Sequence, residues 1–133
     1  MKPIFLAVVL MATGVQAAEE ADNTPCDGVE NDRQTLECAA YNRITAEQLL
    51  NDNVQSLLER LGTLYGNDNA QLSDISAKVK HAQQLWQKQR DADCAVESFP
   101  AKPGTQAYTI ATNDCLARMS DERSEFIESI AQE

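Results

Sequence analysis

Four cysteines, Cys26, Cys38, Cys94 and Cys115, are the residues of this 133-residue chain whose type and spacing allow the most definite chemistry. Cysteines hold metals, attack electrophiles or pair as disulfides. Zinc sites favour close pairs such as C-x-x-C, and steps of twelve and twenty-one residues supply none. Nucleophilic catalysis needs a base and an orienting acid. His81 is the only histidine, and neither a papain-like cysteine context nor a G-x-S-x-G serine is present. His81 therefore reads as an ordinary residue at the edge of a helical stripe. The carboxylate pairs Asp91/Asp93, Asp121/Glu122 and Glu125/Glu128 match those of glycoside cleavage only in residue type. That reaction needs one acid in an apolar pocket facing an ionised partner across a cleft, and these residues fall on predicted outer helix faces. Asn67-Asp68-Asn69 lacks the glycine and terminal glutamate of a calcium loop. Neither a metal nor a cofactor is expected.

Disulfides are the reading that the start of the chain supports. Met1-Lys2 gives a positive start, Ile4 to Ala12 an apolar run, and Val15-Gln16-Ala17 small residues at the third-last and last places before a cut. The run is too short to remain in a bilayer. Residues 1–17 are expected to be a signal peptide and residues 18–133 a single domain, periplasmic or secreted, where thiols oxidise. Cys26 follows Asn23-Thr24-Pro25, not the small apolar context of a lipid-modified cysteine, so the protein is expected to be soluble after cleavage. Loss of Lys2 with the leader leaves ten basic and twenty-one acidic residues, a formal charge of −11. That balance argues against nucleic acid and anionic membrane surfaces. It favours solubility and the steering of a basic partner.

Hydrophobic spacing identifies the elements that must position these groups. Residues 18–35 are polar, with Pro25 and Gly28, and predict an irregular arm. From Leu36 a helical pattern runs through Ala39/Ala40, Ile44, Ala46, Leu50, Val54, Leu57/Leu58 and Leu61. Gly62 or Gly66 is expected to end it in the left-handed conformation. Leu72, Ile75, Val79, Ala82 and Trp86 form the stripe of a second helix ending near Cys94. Residues 97–111, with Phe99-Pro100 and Pro103-Gly104, predict a loop or short hairpin. A third helix is expected from Thr112 or Asn113, burying Leu116, Met119, Phe126/Ile127 and Ile130. The fold class is all-α, a small disulfide-bonded antiparallel three-helix bundle with an N-terminal arm and a loop before the last helix.

Antiparallel packing brings the start of the first helix beside the end of the second, so the four cysteines gather at one end. Three pairings exist. Cys26–Cys38 with Cys94–Cys115 is favoured because each bond closes a local irregular segment onto its adjacent helix. Cys38–Cys94 with Cys26–Cys115 is the rival. Nearby, Trp86 and Arg90 lie four residues apart on one helix face, so the guanidinium can stack on the indole or reach a buried carboxylate. Arg123 is similarly placed. Trp86, Arg90, Asp91 and Arg123 read as a structural motif that locks the end of helix two to the disulfide region.

These residues resemble the lysozyme inhibitor LprI-like family, long treated as a domain of unknown function. The resemblance runs through Cys26, Glu37-Cys38-Ala39-Ala40, Leu50-Asn51, Ala82-Gln83, Trp86, Arg90-Asp91-Ala92-Asp93-Cys94, the Gly104-Thr105 loop, Cys115-Leu116 and Arg123. W-x-x-x-R-D-x-x-C followed by C-L and a downstream arginine is its most specific part. The chain departs from the family at Val54, where a tyrosine is usual, and in lacking a lipid-attachment cysteine. The resemblance implies a small disulfide-bonded helical domain outside the cytoplasm, in some members an inhibitor of lysozyme.

Binding without catalysis is the function these observations favour, with a basic lysozyme as the candidate protein partner. Inhibition requires filling a cleft that holds two carboxylates. Within the loop from Glu97 to Tyr108, Lys102, Thr105 and Tyr108 are the candidate donors to such a cleft; structurally, the same loop covers the end of the bundle. The alternative is a cell-envelope adaptor or an immunity-type protein that neutralises another effector. A cell-wall enzyme lacks a nucleophile–base or metal constellation. The sequence leaves the oligomeric state and the binding face open.

Overall fold

The structure is a computed structural model that describes residues 23–132. The expected signal peptide lies outside the described residues. Three helices follow one another: α1 (Asp32–Tyr65), α2 (Asn69–Glu97) and α3 (Gln106–Ser129). They run up, down and up, so that α2 is antiparallel to its neighbours while α1 and α3 lie parallel. Asn42, Asn53 and Arg60 of α1 meet α3 at Asp114–Arg118, Ser124 and Ile127–Ile130, in that order.

Each helix begins where a polar side chain takes up a free backbone donor. Asn31, Asp68 and Thr105 accept from the N–H groups of Gln34, Gln71 and Tyr108 respectively. This capping explains two corrections. The first helix starts at Asp32 rather than Leu36, because Asn31 supplies the cap inside the polar arm. The third starts at Gln106 rather than at Thr112 or Asn113. Gly104, at φ +82°, makes the tight entry and Thr105 caps the helix, so Tyr108-Thr109-Ile110 lies within its first two turns and is not a hairpin. The connection between α2 and α3 shrinks to residues 98–105. Neither Gly62 nor Gly66 is left-handed: Gly62 lies within α1 and Gly66 has φ −59°. Glycine is needed at 66 for closeness, since a Cβ there would stand 2.6 Å from the Gly62 carbonyl oxygen.

The main contact is between α1 and α3. Small side chains lie along it: Ala39 and Ala46 of α1 and Ala117, Ser120 and Ser124 of α3 are all buried, and small residues let two helix axes approach closely. Leu50, Val54, Leu57, Leu61 and Ile127 build the apolar centre. The α2 stripe covers one side of this pair: Leu72, Ile75, Val79 and Trp86 are partly buried against the core, Ala82 is exposed, and Cys94 is the buried residue of α2. The expected α1–α2 hairpin is thus the weaker contact, because its larger side chains hold the helices further apart. Besides Ala82, two residues expected inside are outside. Ile44 is 47% and Phe126 53% exposed; Ile44 lies about a third of a turn from the buried stripe of α1 at ~100° per residue.

Candidate functional site

Disulfides join Cys26 to Cys38 and Cys94 to Cys115. The first ties the arm to the second turn of α1. The second joins the end of α2 to the third turn of α3, with both half-cystines buried beside Leu116 and Met119. Together they mark one end of the bundle.

Just inside that end, Trp86 and Arg90 link all three helices. The Arg90 guanidinium lies 5.2 Å from the Trp86 ring centre. Its Nη1 donates to Glu47 of α1 at 3.1 Å and to the buried Ser120 hydroxyl of α3 at 3.2 Å. Nε and Nη2 both donate to Asp91, at 3.0 and 2.8 Å. Arg123 approaches the same indole at 5.6 Å and the Phe126 ring at 5.0 Å, and its Nε donates to Gln83 at 3.2 Å. Burial lowers the Arg123 pKa from its ordinary value, in keeping with a cation supported by ring faces rather than by a carboxylate. The arrangement positions helices, with the Arg90 donors used within the bundle.

On the side of the α1–α3 pair that α2 leaves open runs a groove of about 470 Å³, continued by a second hollow that shares Leu49, Asp121 and Glu125. Ala46 and Ala117 line it, and Asp114, Asp121, Glu122 and Glu125 border it. Its cation is Arg118, engaged by Glu122 at 3.0 Å and Glu97 at 2.5 Å; the hydrogen bond to Glu122, then the charge of Glu97, raise its pKa. Burial raises the Asp114 pKa. A carboxyl shifted upward stabilises the fold as pH falls through its folded pKa, and its charge opposes folding above that point. Asp114→Asn is therefore expected to raise the melting temperature slightly at pH 7 and to leave it unchanged at pH 2.5. A fall at pH 7, read by circular dichroism, contradicts this.

The remaining candidates sit apart. His81 and Asp93 are exposed on α2, and no cluster of three metal-ligating side chains occurs among the described residues. The apolar groove between α2 and α3 is bordered by Lys78 and Arg123 rather than by a carboxylate, so it offers no acid pair of the glycosidase kind.

The loop of residues 98–105 brings Lys102 and Thr105 together and leaves Tyr108 on α3. The Thr105 hydroxyl donates to the Lys102 carbonyl at 2.6 Å and accepts from the Tyr108 N–H at 3.3 Å. Its proton is used internally. Tyr108 is half-buried and Lys102 exposed. Sequence patterning did not single out Val96 and Phe99, the most exposed large apolar side chains among the described residues, at 75% and 83%. The available signal was their position: Val96 follows the buried Cys94 by two residues, which places it on the opposite helix face, and Phe99 precedes Pro100 in a turn.

The family model described as Lysozyme inhibitor LprI matches residues 26–126. The crystal structure of a DUF1311 family protein from Pseudomonas putida KT2440 is similar, with 38% sequence identity and a TM-score of 0.70, covering 78% of this chain and 97% of that one. No curated protein matches the chain. With the cysteines, the Trp86–Arg90 linkage, the first two helices and most of the third inside the matched span, the chain belongs to the lysozyme inhibitor LprI family.

Proposed function

We propose that this protein is an exported, non-catalytic binding domain that inhibits a lysozyme-type glycosidase. The observation that carries the reading is the family match over residues 26–126, whose name describes lysozyme inhibition. Three further features support it. Two disulfides suit an oxidising compartment. No described helix is long and apolar enough to cross a membrane. The excess of acidic residues, five of which border the α1–α3 groove, attracts a basic protein and raises its association rate. At the disulfide-bonded end, Lys102 is the candidate with a free head to meet a cleft carboxylate, while Thr105 and Tyr108 hold the backbone that presents it.

Clearing of a bacterial cell-wall suspension by hen-type lysozyme provides the test. The oxidised protein lacking residues 1–17 is expected to slow clearing in proportion to its concentration, with a plateau near equimolar ratio. An unchanged rate at about tenfold molar excess, well above any useful affinity at micromolar concentrations, overturns the reading.

A further inference from the structure

Val96 and Phe99 stand on one tight turn, where the Phe99 N–H donates to the Val96 carbonyl at 3.2 Å. Both are exposed to a degree unusual for large apolar side chains, and they lie three residues apart on the chain. The backbone beneath them is held on every side. The Cys94–Cys115 disulfide precedes the turn. Between the two residues lies Ser98, 1% exposed, whose N–H donates to the Cys94 carbonyl at 3.0 Å and whose hydroxyl accepts from Thr112 at 3.0 Å. Ala101 N–H closes onto the Ser98 carbonyl at 3.0 Å, and the Thr105 cap fixes the exit. The exposed ring is therefore presented by a rigid support and not by a slack loop. Rigidity reduces the ordering cost of association, and an aromatic side chain on such a support is the usual form of an interface anchor.

The charges around the turn define what it fits. Lys102 is the only basic residue between Arg90 and Arg118 in the sequence, and it is exposed on the same loop. Glu97 is engaged by Arg118. The loop thus presents an apolar point with the Lys102 cation beside it, on a protein that is otherwise strongly acidic.

We infer that the disulfide-bonded end of the bundle is the docking surface, with Phe99 and Val96 inserted into an apolar recess of a protein cleft and Lys102 set against the carboxylates that border it. This rests on the lysozyme reading and names the surface that carries it: a glycosidase cleft has such paired carboxylates. The acidic α1–α3 groove then governs how fast the partners meet, and the apolar turn how long they stay.

The test measures equilibrium binding of hen-type lysozyme to the full oxidised domain and to Phe99→Ala, Val96→Ala, Phe99→Trp and Leu85→Ala. All the side chains changed are well exposed, so melting temperatures are expected to stay at the native value. Phe99→Ala is expected to raise Kd at least about tenfold, the effect of losing an anchor, and Val96→Ala about threefold on the same scale. Phe99→Trp retains affinity, and Leu85→Ala, on a remote part of α2, changes nothing. If the native protein binds and the Val96→Ala/Phe99→Ala double variant binds within about twofold of it, a difference far below an anchor's effect, this assignment is overturned while the lysozyme reading stands. If the native protein does not bind, the lysozyme reading fails and the assignment with it.

Discussion

Replacing Cys94 and Cys115 together with alanine is expected to lower the unfolding free energy by about 3 to 5 kcal/mol, as for other native disulfides in small domains. The bond spans 21 residues, and closing a loop of that length restricts the unfolded chain by about 3 kcal/mol in the chain-entropy model. Its ends are also buried in the folded state, so their removal takes packing from the cluster with Leu116 and Met119. The Cys26–Cys38 bond closes 12 residues and should behave differently. Residues 23–31 are mostly exposed, so cutting that bond frees the arm in the folded state as well as in the unfolded one, and the two entropy gains offset each other. Guanidinium denaturation of the two alanine pairs reads the difference directly. Equal losses, or a loss below about 1 kcal/mol for the Cys94/Cys115 pair, well under the usual range, contradict this account.

Arg90→Ala is expected to cost about 2 to 3 kcal/mol, the range for breaking a part-buried polar network. The ion pairs are not the main source. Glu47 and Asp91 retain much exposure, and exposed pairs contribute little because water and salt screen them. The larger losses are the Trp86 face that the guanidinium covers and the partner of Ser120, whose hydroxyl lies in a site closed to water. Arg90→Met restores part of the packing and none of the hydrogen bonds, so it is expected to lie between native and alanine. Glu47→Gln is expected to cost less than about 1 kcal/mol, the scale of a screened pair. Thermal unfolding of the three variants separates the contributions. A Glu47→Gln loss equal to that of Arg90→Ala contradicts the packing argument.

The all-α class and the number of helices were legible because apolar residues recur at three- and four-residue steps over long, proline-free stretches, as from Leu36 to Leu61. The start of α3 was not. Tyr108-Thr109-Ile110 is a β-branched and aromatic run by residue type, and the capping of the helix by Thr105 outweighed that preference. The closeness of α1 to α3 was also hidden, since Ala46, Ala117, Ser120 and Ser124 carry almost no hydrophobic signal although their small size is what makes the contact. Periodicity likewise assigned Ile44 and Phe126 to the interior, because an apolar residue one position off a stripe looks the same as one on it. For the candidate site, the motif residues around Trp86 were visible from spacing. The exposure of Val96 and Phe99 was not, because residue type alone does not tell an apolar side chain left in water from one that folds back onto the bundle.

Direct binding between the oxidised protein lacking residues 1–17 and hen-type lysozyme across a salt series tests the central claim most directly. The account predicts a complex of sub-micromolar Kd at low ionic strength that weakens as salt screens the acidic face, with the association rate falling more than the dissociation rate rises. Absence of a complex at low ionic strength and about 100 μM protein, where even a weak specific interface is populated, would contradict it.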